Sequence, residues 1–147
     1  MSALARILSV PMLGVLYLGV LYPLSAAACA NKSNDPAAVV QAQVDAYNAH
    51  DVAAFASCYA DNVTVTDLGG KRPALKGIAA LKHTYAFLAK VPKGYHVAIV
   101  QRVVSGTIVI DQERAMGLPL DKGRPEAIAI YEVRDGKIQN VWFPPGG

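Results

Sequence analysis

The sequence predicts an α+β domain that follows an apolar leader. Residues 7 to 31 hold no charged side chain. Three stretches with helical apolar spacing come next, and the remainder is rich in β-branched and aromatic residues broken by tight turns. Helices first and a strand meander last is the order of an α+β fold, not of alternating βα units.

The leader comes first. Arg6 supplies a short positive region, Ile7 to Tyr22 an apolar core, and Pro23 a helix break before the small residues Ala26-Ala27-Ala28-Cys29-Ala30. Residues 1–30 therefore read as a secretory signal, 31–35 as a short tether, 36–143 as the domain and 144–147 as a tail. About 18 apolar residues are nearly enough to span a bilayer. Pro23 and the absence of a following Lys/Arg cluster favour cleavage instead. Ala26-Ala27-Ala28-Cys29 resembles a bacterial lipobox, which makes Cys29 a lipidation candidate. Ala28-Cys29-Ala30 is an equally legal site for ordinary signal peptidase. The expected location is exported, periplasmic or extracellular, with membrane contact only through lipid at Cys29.

Asn34-Asp35-Pro36 starts the first helix, a capping side chain followed by proline. Val40, Val44 and Tyr47 form its stripe, and Asn48-Ala49 its end. Asp51 caps a second short helix, Val52 to Tyr59, where Cys58 reads as a small buried hydrophobe. Asn62 to Asp67 alternates as a strand, with Val63, Val65 and Asp67 on one face, and Gly69-Gly70 turns the chain. After Gly77, Ile78, Leu81, Tyr85 and Leu88 share a helical stripe that Pro92 ends. Tyr95 to Val104, Thr107 to Met116, Glu126 to Arg134 and Lys137 to Phe143 read as strands. Ser105-Gly106 and Asp135-Gly136 are hairpin turns, and Gly117 to Pro125 is a longer loop.

Composition excludes several classes. The 147 residues are 53% hydrophobic with a mean hydropathy of +0.28, inflated by the leader, so disorder and collagen-like repeats are excluded. Fourteen Lys and Arg against eleven Asp and Glu leave no nucleic-acid footprint. Two cysteines give neither a disulfide framework nor a Cys-rich metal site. No phosphate loop, nucleophile elbow or metal-spaced cluster is present, so no cofactor and no metal are expected.

Asp67 is the sharpest chemical signal. A carboxylate in phase with two buried valines is either desolvated and reactive or placed at the strand's exposed end. Asp111 and Glu113 share a face with Val109, opposite Ile108 and Ile110. Alternation alone sends the isoleucines to the core and both carboxylates to water. His50 and His83 read as solvated, and His96 sits on a strand where it can point inward. Tyr47, Tyr59 and Tyr85 recur on apolar stripes, as buried tyrosines commonly do.

The strings Asp45-Ala46-Tyr47-Asn48-Ala49-His50-Asp51, Tyr59-Ala60-Asp61-Asn62-Val63, Leu75-Lys76-Gly77-Ile78 and Ile130-Tyr131-Glu132-Val133-Arg134-Asp135-Gly136-Lys137-Ile138 carry a family resemblance. Over residues 36 to 143 the chain resembles the SnoaL-like branch of the nuclear transport factor 2-like superfamily, which includes ketosteroid isomerases and polyketide cyclases. The resemblance implies a cone, a curved antiparallel sheet wrapped by three helices around an apolar pocket, and often a dimer through the sheet. It places the isomerase's catalytic base on Asp67, its oxyanion tyrosine on Gln43 and its protonated Asp donor on Ala129. Losing both donors argues against steroid isomerisation. The same alignment turns Asp111 and Glu113 toward the pocket and lines its wall with Tyr131, Val141 and Phe143.

The expected function is therefore a pocket for a small apolar or polar-headed molecule. As an enzyme it would be a cofactor-independent isomerase, cyclase or hydrolase with Asp67 as general base, in an apolar cone without an Arg partner. Tyr59, Tyr85 and Gln43 would then be the donors. The alternative is a non-catalytic binding or interaction module of the same fold. Ile128, Ile130 and Trp142 lie opposite the pocket wall and imply a homodimer.

Overall fold

Asp35 starts α1 (Pro36–Asn48) by accepting the Ala37 N–H on its carboxylate, with Pro36 at the first turn. The computed structural model describes Cys29, residues 33–119, Asp121 and residues 125–146. The leader apart from Cys29, tether residues 31 and 32, and part of the 117–125 loop lie outside the described residues. α1 buries Val39, Val40, Gln43, Val44 and Ala46 against the sheet. Asp51 caps α2 (Val52–Ala56) through the Ala54 N–H. The second helix is shorter than the sequence suggests, because Tyr59 already opens β1 (Tyr59–Asp67). A two-residue strand β2 (Leu75–Lys76) precedes α3 (Ile78–Tyr85), and a 3-10 turn, Ala86–Lys90, carries Leu88 inward.

The remaining strands are β3 (His96–Ser105), β4 (Ile108–Met116), β5 (Glu126–Arg134) and β6 (Lys137–Phe143). Asp135 and Gly136 turn the last hairpin with φ of 54° and 69°, the paired positive φ that such a turn demands. The six strands make one curved open sheet in the order β2-β1-β6-β5-β4-β3. The expected antiparallel sheet is mixed, since β1 pairs with β6 in parallel. That pairing joins strands at opposite ends of the domain sequence, so local turn signals could not announce it.

The helices cover one face of the sheet. Val141 of β6 stands opposite Tyr131 of β5, and Tyr131 opposite Val109 of β4; all three are buried. Asp111 and Glu113 follow Val109 on the same face, so the alternation reading that sent them to water is overturned. The reason lies in which face the helices occupy, because both faces of β4 carry branched aliphatics. The uncovered face carries Val103, Ile110, Ile130 and Trp142 in one row across four strands. Val103 and Ile128 are exposed there.

A bulge in β3 has a specific effect on this layout. Ile99 faces Glu113, but an extra residue shifts the register so that Arg102, not Gln101, stands opposite Asp111. Bulges re-aim side chains in this way.

Candidate functional site

Between α1 and the covered sheet face lies a chamber of about 150 Å³. Its polar wall is Gln43 and Tyr47 from α1, Tyr59 from β1, Tyr85 from α3, Glu113 from β4 and Tyr131 from β5. Val141 and Phe143 of β6 close it, and Val44 and Val97 add apolar wall. Phe55 is the scaffold behind the tyrosines: fully buried, its ring lies 4.9 Å from that of Tyr59 and 4.6 Å from that of Tyr85.

Glu113 is the chemically distinctive group. Burial pushes its carboxyl up to about 7, with neighbouring Asp111 adding to the rise. The Tyr131 hydroxyl, which donates to Glu113 Oε1 at 2.7 Å, and the Arg102 charge act in the opposite sense. Desolvation wins because it penalises the charged form more than one hydrogen bond favours it. The tyrosines respond to the same dryness. Burial raises the hydroxyls of Tyr47, Tyr59 and Tyr131 above their ordinary value and that of Tyr85 to about 12. All four remain protonated donors at neutral pH.

Asp111 stands beside this chamber but is not part of its wall. Fully buried, it accepts a forked pair from Arg102, Nε to Oδ1 at 2.6 Å and Nη2 to Oδ2 at 2.7 Å. Arg102 Nη1 also donates to Gln41 Oε1 of α1 at 2.9 Å, which ties the sheet to the helix. The Asp111 bond raises the Arg102 guanidinium further above its already high value. This pair is a structural clamp beside Glu113.

The helix end is fixed independently. Tyr47 and Tyr95 share a hydroxyl hydrogen bond of 2.8 Å. Asn48 both donates to the Val97 carbonyl and accepts the Val97 N–H. His50, expected to be solvated, instead lies 2.7 Å from the Tyr95 carbonyl through Nε2. Gly117 makes this corner possible, since a Cβ there would overlap the Gly94 carbonyl. His96 and His83 are exposed.

Asp67 does not join the chamber. It ends β1 at the rim, where Oδ2 accepts from Arg72 Nε at 3.3 Å and Oδ1 from the Gly69 N–H at 2.9 Å. The expectation of an apolar cone without an Arg partner is therefore corrected. The strand phase was right, and the Asp67 side chain is only 12% exposed, but Arg72 from the turn after β1 reaches it and supplies the partner. An open cleft of about 540 Å³ lies at this rim and holds Asp67, Arg72 and Glu126. Its carboxylates are already paired, Asp67 with Arg72 and Glu126 with Arg114. The smaller chamber holds the perturbed chemistry.

Cys29 is bonded to Cys58, with Cα atoms 4.9 Å apart. One sulfur cannot hold both a disulfide and a lipid thioether, so the lipidation expected at Cys29 does not describe this state. Cys58 is fully buried as expected, but as half of a bridge. Among the described residues no three His, Cys, Asp or Glu side chains converge as metal ligands, and no helix is long and apolar enough to cross a membrane.

A family model described as SnoaL-like domain matches residues 40–141. No curated protein matches the sequence. Solved structures with the same fold include a cystatin-fold protein of Novosphingobium aromaticivorans, at 24% identity over 76% of this chain and 98% of that one, with a TM-score of 0.64. A candidate polyketide cyclase of Sinorhizobium meliloti is 18% identical over 71% and 92% of the two chains, TM-score 0.59. A candidate ketosteroid isomerase of Kribbella flavida is 19% identical over 76% and 78%, TM-score 0.61.

Proposed function

The chain belongs to the SnoaL-like domain family, and on that premise we propose that it is a cofactor-independent proton-transfer enzyme whose base is Glu113. The carrying observation is a buried carboxyl pushed up to about 7 in a wall of protonated tyrosines. A base is most effective when its proton affinity matches the working pH. The substrate class that fits is a small carbonyl compound. Glu113 removes a proton from the carbon beside the carbonyl, and the electron pair moves onto the carbonyl oxygen. Tyr59 and Tyr85 donate hydrogen bonds to that oxyanion; among the described residues neither hydroxyl is bonded to another side chain. Returning the proton to a different carbon completes an isomerisation. Glu113 thus takes the role the sequence gave to Asp67, and Tyr131 holds its carboxyl in place.

Export belongs to the same proposal. Its support is the leader-like apolar run from residue 7 together with the Cys29–Cys58 bridge, because disulfides persist in oxidising compartments; a bridged mature chain requires cleavage before Cys29, not after Ala30.

Hydrogen–deuterium exchange at the α-carbon of cyclohexanone, followed by NMR in D₂O, tests the reaction. The wild-type rate is expected to rise as pH passes through about 7, Glu113→Gln to remove the acceleration, and Asp67→Asn to keep it. Equal exchange with wild-type and Glu113→Gln protein overturns the reading.

A further inference from the structure

Among the described residues one fully buried side-chain acceptor lacks a partner, and its residue lines the chamber. Gln43 is 4% exposed, and its Oε1 is buried without a hydrogen-bond partner. Native interiors keep few such acceptors, and each has a reason: strain, a catalytic role, or a bound water, ion or ligand. Oε1 only accepts, so the occupant must donate. Among the described residues no Lys or Arg lines the chamber, so an anion would enter without a counter-charge. The volume of about 150 Å³ is that of a cavity which benzene fills, and four fused rings exceed it.

We propose that the chamber binds a neutral molecule of one ring or a short chain that donates an O–H or N–H hydrogen bond to Gln43 Oε1. Gln43 is then the residue that selects among small apolar molecules, admitting the one with a donor at the right place. The inference rests on the chamber being the working site, but not on Glu113 transferring a proton.

Isothermal titration calorimetry with phenol, toluene and androstenedione tests it on the full domain. Phenol is expected to bind about tenfold or more tightly than toluene, since an unpaired buried acceptor penalises the ligand that lacks a donor. Gln43→Leu is expected to weaken phenol to the level of toluene while toluene affinity holds. Gln43→Met, close in shape, gives the same readout should the leucine variant not fold. Glu113→Gln is expected to keep the phenol preference even as α-carbon exchange is lost. Equal phenol and toluene affinities in the wild type mean that water satisfies Gln43, and they overturn the inference. A preference lost with Glu113→Gln but kept with Gln43→Leu and Gln43→Met also overturns it, as does androstenedione binding more tightly than phenol. Absent exchange with an intact, Gln43-dependent phenol preference removes the proton-transfer reading and leaves this one standing.

Discussion

Replacing Glu113 by glutamine removes its charge while preserving an acceptor for the Tyr131 hydroxyl. In the folded chain the Glu113 carboxyl gives up its proton near pH 7 instead of near 4.5, chiefly because it is buried. At about 1.4 kcal/mol for each tenfold change in proton affinity, that displacement corresponds to about 3 kcal/mol. The sign follows from which state holds the proton. Below pH 4.5 both folded and unfolded chains hold it; as pH rises the unfolded chain releases it first, so the native state loses ground until pH passes about 7. Glu113→Gln has no such slope. At pH 8.5 the variant is expected to be about 3 kcal/mol more stable than the wild type, on the order of 10 °C in Tm for a domain of this size. At pH 4.5 the two should differ by less than about 1 kcal/mol. Urea unfolding at both pH values, with Tyr and Trp fluorescence as the probe, reads the difference directly. An equal gap at both pH values, or a less stable variant at pH 8.5, refutes the argument that Glu113 is desolvated.

Removing Arg102 alone strands a fully buried carboxylate, so Arg102→Met should cost about 3–5 kcal/mol in urea unfolding. The double variant with Asp111→Leu should recover most of that, and no recovery would show that the pair is not a unit. Asp67→Asn breaks a pair whose Arg72 side is 73% exposed and whose Asp67 side is 12% exposed, while keeping an acceptor for the Gly69 N–H, so it should change stability by less than about 1 kcal/mol; a larger loss in the same assay contradicts the solvent-screened reading of the pair. Sedimentation should report a dimer joined through the uncovered face, with Ile128→Glu giving a folded monomer; a wild-type monomer at all concentrations rules this out. Unreduced denatured protein should titrate with no free thiol, and Cys58→Ala should cost about 3–4 kcal/mol for a 29-residue separation. A mature chain with lipid on Cys29 and a free Cys58 thiol refutes the bridge.

Tyr47 and Tyr85 were legible in the sequence because helical stripes report burial whatever the partner; Tyr59 was read on such a stripe too, though it opens β1. Gln43, Tyr131, Val141 and Phe143 came only through the family resemblance, since no local pattern tells which sheet face is covered. Glu113 shows the limit most clearly. Ile108 and Ile110 made the wrong face of β4 look like the core, and only the helices above Val109 decide the matter. Arg102 escaped notice because its alignment with Asp111 depends on a bulge near Val100, one residue that no propensity marks. Cys29 was absorbed into the leader, whose apolar run explained it without calling for Cys58.

The last strand of the chain lies in the middle of the sheet. β6 is flanked by β1 on one side and β5 on the other, and its Ile138 and Val141 are buried. Until Lys137 to Phe143 leave the ribosome, the first strand has no neighbour but the two-residue β2. The first and last strands of the sheet must therefore meet across all the elements between them, a non-local pairing of the kind that folds slowly. A stop codon a dozen residues early would split the sheet in two, not trim its edge.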